Sequence, residues 1–150
     1  PSKMLINELK QYSPIVSVGS GYAYTESIAL KNGVDIIVTD INPNNENGWC
    51  NGGKFHMEVE QLSADKAISK YNDRNVFMAW PPYENPMAYE VVKKMQKGRV
   101  LIYVGESYGG CTADRNFFNY IDKRFEKIKT KSFISKWGGI YDNIYLYKKI

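Results

Sequence analysis

A chain of 150 residues has the length of one ordinary domain, which buries roughly 70% of its unfolded-chain surface and so sustains its own core. Hydrophobic residues make up 43% and charged residues 24%, with 12 glycines and 6 prolines, a balance that excludes collagen-like and disordered classes. The net charge of +4 permits nucleic-acid binding without arguing for it.

Met4, Leu5 and Leu9 recur at helical spacing over residues 3 to 11, and Pro14 closes that segment before the apolar run Ile15 to Val18, a first strand. Gly19-Ser20-Gly21 turns the chain into a short helix from Thr25 to Lys31, which Asn32-Gly33 stops. Val34 to Thr39 is the second strand and ends at Asp40. From Ile41 to Phe55 turn residues fill the sequence without periodicity, which predicts a long loop. A short third strand over Val59 to Leu62 and a helix from Ala64 to Tyr71 follow. The fourth strand runs from Val76 to Trp80, where Pro81-Pro82 stops it.

Met87 to Gln96 alternates as an amphipathic helix, and Val100 to Val104 is the continuous apolar run of a buried parallel strand. After a loop at 105 to 112, Thr112 or Asp114 caps a helix to about Arg124. Lys127 to Ser135 and Ile144 to Lys149 leave no room between them for a crossover helix, so they pair antiparallel. The predicted fold is α/β: a Rossmann-like three-layer sandwich, in one domain over residues 1 to 150, whose mainly parallel sheet ends in a C-terminal antiparallel hairpin.

Cys50 and Cys111 are the only cysteines and lack a CxxC or a His-rich neighbourhood, so reduced thiols in a cytoplasmic protein are expected rather than structural zinc. No apolar run approaches the roughly 20 residues needed to span a bilayer. The Pro1-Ser2-Lys3 start has no signal-peptide pattern.

The chemistry concentrates at two strand ends. Gly19 and Gly21, directly after a buried strand, allow close backbone approach by a polar ligand, with a helix N-terminus behind them, although GxG also serves merely to turn a chain. Asp40 stands at the next strand end, about twenty residues on, where a carboxylate holds both hydroxyls of a ribose. It also reads as a turn-forming Asp before Ile41-Asn42-Pro43. Together the two features point to a nucleoside-containing cofactor. Trp80-Pro81-Pro82-Tyr83 lies at the carboxyl end of the fourth strand, beside the switch point where open sheets bind ligands. Its prolines remove two N–H donors and fix the backbone, and Tyr83 offers an aromatic face.

VGSGYAYTE, Asp40 and AWPPY resemble the class I S-adenosylmethionine-dependent methyltransferases over nearly the whole chain, and imply their seven-stranded sheet. WPPY is similar to the (Asp/Asn)-Pro-Pro-(Tyr/Phe/Trp) motif of amino-methyltransferases acting on adenine, cytosine or glutamine. A closer likeness is to small methyltransferase-like proteins with a (W/Y)PP motif followed by VGE and a glycine-rich stretch, here Val104-Gly105-Glu106 and Gly109 to Thr112. The resemblance implies S-adenosyl-L-methionine as cofactor. It assigns Gly19, Ser20 and Gly21 to the methionine and ribose side, Asp40 to the ribose hydroxyls and Ile41 to the flank of the adenine. Asp65 is assigned to the adenine amino group, with Ser63 and Ala64 as competing positions.

The chain departs from the family at three places. Ser17 stands where many members carry an acidic residue, Ala23 replaces a third glycine, and Trp80 occupies the Asp/Asn position of the amine motif. An indole has a donor N–H and no acceptor for the target amine, which leaves the Pro81 carbonyl to hold one amine hydrogen and Trp80 as a stacking wall or strand-end packing. With Trp80, Pro81, Pro82 and Tyr83 in the acceptor region, Glu106 is the preferred base. His56 reads as a surface loop residue, Glu26 as a favourable charge at a helix N-terminus, and Cys111 as structural.

Lys127, Lys129 and Lys131 on one face of a strand fit either nucleic-acid binding or the protection of a sheet edge. The leading reading is a methyltransferase with a planar or amine acceptor, a nucleic-acid base foremost, and with lid and specificity elements at 41 to 56 and 105 to 112. A catalytically degenerate fold serving as a binding or partner-stabilising module is the alternative. A nicotinamide-dependent oxidoreductase is a third reading, disfavoured by the PPY segment and the hairpin.

Overall fold

A computed structural model describes residues 2–41, 57–106, 112–132 and 143–150. Helix α1 (Lys3–Gln11) starts where the Ser2 hydroxyl accepts the Leu5 amide, and buries Leu5, Ile6 and Leu9. There follow β1 (Ile15–Val18), α2 (Tyr24–Lys31), β2 (Ile36–Asp40), β3 (Glu60–Gln61), α3 (Ala64–Lys70) and β4 (Asn75–Ala79). The chain continues through α4 (Met87–Lys94), β5 (Val100–Gly105), α5 (Arg115–Arg124), β6 (Phe125–Ser132) and β7 (Asn143–Lys149). They form one seven-stranded sheet in the order β3-β2-β1-β4-β5-β7-β6, parallel except for β7, which runs antiparallel to both β5 and β6.

The expected three-layer sandwich is present, and strand alternation sorts the core into its two halves. Val16, Val18, Val76, Met78, Leu101 and Tyr103 face α3, α4 and α5. Ile15, Phe77, Ile102 and Val104 face α1 and α2. Every residue of β1 and of β5 is buried, which is why these strands read as unbroken apolar runs. Among the described residues no helix is long and apolar enough to cross a membrane.

Several boundaries differ from the sequence reading. β3 shrinks to Glu60–Gln61, and β2 begins at Ile36 and includes Asp40. Trp80 is not the last residue of β4: it sits beyond Ala79 with φ 50°, in left-handed backbone that ends the strand before the prolines do. Asp114, not Thr112, caps α5, accepting the Phe117 amide at 2.9 Å. α5 runs directly into β6, which starts at Phe125.

Lys127, Lys129 and Lys131 do not share one face. A register irregularity between Lys127 and Lys129 sends Lys127 over the Tyr145 ring and Lys129 over the Tyr12 ring, on opposite sides of the sheet. Lys129 and Lys131 meet the buried Glu8 carboxylate of α1 at 3.0 and 2.7 Å. β6 is an edge strand of the sheet, and two of the lysines that protect it also tie it to α1. At the other end of the hairpin the buried Lys149 ammonium donates to the carbonyls of Val92, Lys93 and Met95 at 2.9, 3.0 and 2.6 Å, satisfying the C-terminus of α4.

Candidate functional site at the carboxyl edge of the sheet

The parallel strands β1, β2, β4 and β5 all end at one edge, and the connections that leave it carry the predicted site residues. After β1, Gly19 and Gly21 have φ 61° and 58°, conformations that a side chain disfavours. A Cβ on Gly19 would also press on the Met87 thioether at 3.3 to 3.4 Å. The turn is pinned to β2. The Ser20 amide donates to the Thr39 carbonyl at 3.1 Å, the Gly21 amide to Asp40 Oδ2 at 2.9 Å, and the Thr39 hydroxyl to the Ser17 carbonyl at 2.8 Å. Asp40 is 6% exposed and, by accepting the Gly21 amide, fixes the shape of the turn. Ala23, in place of a third glycine, takes φ 61° and keeps the left-handed bend at the start of α2, at a cost of about 1–2 kcal/mol.

Beneath the turn lies a cleft of about 310 Å³ walled by Val18, Gly19 to Glu26, Phe77 and Ala79, at the small end of the range for ligand sites. Ile41, next to Asp40, is 58% exposed. Asp65 lies in the first turn of α3, where the neighbouring Ser63 hydroxyl is the main influence holding its carboxyl below the ordinary range. None of Asp40, Ile41 and Asp65 walls the cleft. The glycine turn and Asp40 are therefore joined by direct bonds, whereas the two adenine-side candidates stand apart from them along the same edge.

The second corner is built on β4 and β5. The Trp80 amide donates to the Val104 carbonyl at 2.8 Å, so the left-handed residue is locked to the neighbouring strand. Its side chain is 42% exposed and that of Tyr83 61%, while Pro81 is buried. The Pro81 carbonyl, expected to receive an amine hydrogen, already accepts the Ala113 amide at 3.1 Å, and Ala113 in turn accepts the Glu84 amide at 2.9 Å. Ala113 and Glu84 are themselves left-handed, at φ 60° and 54°. Strain of about 1–3 kcal/mol per such residue persists only where neighbours over-determine it. Ala79 joins the corners, since it walls the cleft and precedes Trp80.

Glu106 is buried just past β5. Its amide donates to the Thr112 hydroxyl at 3.1 Å, and its carbonyl accepts from Tyr103 and Thr112, each at 3.2 Å. The Tyr103 and Thr112 hydroxyls also bond each other. A Cβ on Gly105 would meet those two oxygens at 2.8 and 2.9 Å, so the middle position of Val104-Gly105-Glu106 is a glycine that admits this hydroxyl pair.

Two residues were undervalued by the sequence reading. Thr112 ties the loop to β5 instead of capping α5. Glu26 is not a solvated charge at a helix start: it is 4% exposed and accepts a hydrogen bond from the Ser17 hydroxyl at 2.7 Å. Burial pushes its carboxyl above the ordinary range, against the hydrogen bonds that favour ionisation. The strand pattern carried a signal for this, because Ser17 shares a face with Ile15 and must meet α2. His56, Cys50, Cys111 and most of the loop at 41 to 56 lie outside the described residues, as do residues 107–111. Among the described residues no group of three or more His, Cys, Asp and Glu side chains is placed to hold a metal ion.

Sheet order, the single antiparallel strand and the helix layers define the class I methyltransferase fold, in agreement with the expected fold class. Solved structures similar to this chain carry that fold. Magnesium protoporphyrin IX methyltransferase from Synechocystis PCC 6803, with bound S-adenosylmethionine, is 11% identical with a TM-score of 0.64 over 98% of this chain and 77% of that one. A putative tRNA (m1A22) methyltransferase of Streptococcus pneumoniae, in complex with S-adenosylmethionine, is 14% identical with a TM-score of 0.64 over 98% and 71%. A methyltransferase from Archaeoglobus fulgidus is 14% identical with a TM-score of 0.57 over 98% and 94%. No protein-family model matches the sequence, and no curated protein matches it.

Proposed function

We propose that this protein is an S-adenosylmethionine-dependent methyltransferase that takes a planar acceptor, foremost a nucleic-acid base, against Trp80. The observation that carries the reading is the bonded pair of glycine turn and Asp40 over a cleft whose wall, Ala79, leads directly into Trp80. Backbone at Gly19 to Gly21 lines the methionine and ribose side of the cofactor, Asp40 accepts from the ribose hydroxyls, Ile41 flanks the adenine and Asp65 faces its amino group. The fit is chemical: left-handed glycines let a ligand approach the backbone, and a carboxylate offers two acceptor oxygens. The cofactor supplies an activated methyl on a sulfonium, so the chain's own contribution is alignment and exclusion of water.

In the acceptor corner the indole of Trp80 offers a stacking face and Tyr83 a second aromatic surface, while Pro81 and Pro82 hold the segment rigid. Glu106 takes the proton that the acceptor nitrogen releases. Trp80 in place of an Asp or Asn also favours a second reading, a methyltransferase fold that binds the cofactor without turnover and stabilises a partner.

Transfer of a labelled methyl group separates the two. The expected result is cofactor-dependent labelling of RNA or DNA oligomers or of free planar amines, abolished by Asp40→Ala. Cofactor binding with no labelling of any acceptor would favour the binding module. Oligomer affinity unchanged between low and moderate salt would count against a nucleic-acid acceptor.

A further inference from the structure

We propose that Glu26 is the counter-ion for the α-ammonium group of the bound cofactor, a positioning role at the inner end of the cleft that rests on the methyltransferase reading. Glu26 is 4% exposed and walls the cleft next to the glycine turn. The Ser17 hydroxyl donates to Glu26 Oε1 at 2.7 Å, and Ser17 Oγ lies 2.8 Å from Ser20 Oγ. Burial, the largest influence on this carboxyl, raises its pKa; the Ser17 and Ser20 hydroxyls lower it, and the negative charge of Asp40 raises it again. Among the described residues no Lys or Arg forms an ion pair with it.

A carboxyl buried beside a second carboxylate, with hydroxyl partners and no cation among the described residues, is costly to ionise. Retaining it there has a chemical rationale if the ligand brings the positive charge. The two carboxyls divide the ligand between them. Asp40, at the end of β2 and bonded to Gly21, is reserved for the ribose, so the cation falls to Glu26. Ser17 is explained by the same arrangement. It points to the α2 side of the sheet with Ile15, and its hydroxyl holds the Glu26 carboxyl, so the acid that many family members carry at position 17 is supplied here from α2. A hydrogen bond to a charged group contributes enough to change affinity about 10- to 100-fold.

The test compares S-adenosylhomocysteine, which carries the ammonium, with methylthioadenosine, which lacks the whole amino-acid end, by titration calorimetry on the unmutated protein and on Glu26→Gln. The variant mimics the neutral carboxyl in shape and is expected to fold with an unchanged or higher Tm. It should bind S-adenosylhomocysteine at least tenfold more weakly than the unmutated protein, and methylthioadenosine equally well. Equal loss for both ligands, or no loss for either, overturns the assignment while leaving the cofactor reading intact. An unmutated protein that binds neither ligand overturns both. Should Glu26→Gln not fold, a deaminated S-adenosylhomocysteine decides the matter on the unmutated protein: at least tenfold weaker binding supports the assignment, and equal binding overturns it.

Discussion

The two corners of the site use opposite physics. In the corner at β1, α2 and β2 the functional groups are buried and polar, and each is tied to a neighbour within reach: Gly21 to Asp40, Thr39 to Ser17, Ser17 to Glu26. In the corner at β4 and β5 the groups that face outward are large and aromatic, and the backbone beneath them carries left-handed residues at 80, 84 and 113. The first corner suits the proposed polar cofactor. The second presents an aromatic surface on a braced support, which suits the proposed planar acceptor.

The largest effect that separates the corners is expected from Asp40→Ala. It removes the acceptor of the Gly21 amide along with the proposed ribose contact, so cofactor affinity should fall about 100-fold by calorimetry. Its Tm should fall by only a few degrees, and an unchanged affinity would remove Asp40 from the ligand.

Next is Trp80→Asn, a residue that tolerates left-handed backbone and cannot stack like an indole. Cofactor affinity should stay within twofold while KM for a planar acceptor rises about tenfold, the usual scale of one stacked base. A gain in amine methylation would instead mean that the indole obstructs this chemistry in the native protein.

Thr112→Val should sharpen the contrast by loosening only the second corner. It removes the acceptor of the Glu106 amide and the hydroxyl bonded to Tyr103, at about 1–3 kcal/mol. That corresponds to a Tm lower by several degrees, with the cofactor dissociation constant unchanged.

The smallest effect is a control far from both corners. Burial raises the Glu8 carboxyl's pKa, but the hydrogen bonds and charges of Lys131 and Lys129 outweigh it and hold the group below its ordinary 4.5. A carboxyl depressed in the folded state contributes stability above its unfolded value and loses it as the pH falls through the folded one. Unfolding of the unmutated protein should therefore lose ~1 kcal/mol more than Glu8→Gln as the pH drops below about 4.5, with the site untouched at neutral pH.

Most of the frame was legible because its signals are local. Unbroken apolar runs gave β1 and β5, the glycine turn and Asp40 marked the ends of β1 and β2, and the absence of space for a helix after Lys127 gave the terminal hairpin. What was not legible depends on contacts between residues distant in sequence. The irregularity between Lys127 and Lys129 brings Lys129 to the Glu8 side of the sheet, to a partner more than a hundred residues earlier. Trp80 leaves β4 by turning to left-handed backbone while its amide still donates to Val104 of β5, which no property of Trp-Pro-Pro reveals. Thr112 appears as a helix cap in sequence and is claimed instead by Tyr103. Glu26 has the spacing of an ordinary first-turn acid, and only the sheet face of Ser17 turns it inward.

The most direct test of the central claim is the thermal stability of the unmutated protein with S-adenosylmethionine, S-adenosylhomocysteine and NAD, each in large excess. A ligand at about 100 times its dissociation constant stabilises by roughly 2.7 kcal/mol, several degrees for a chain of this length. A rise with the first two and none with NAD is the predicted result. A rise with NAD alone, or with none of the three, would contradict the assignment of the glycine turn and Asp40 to a methyl donor.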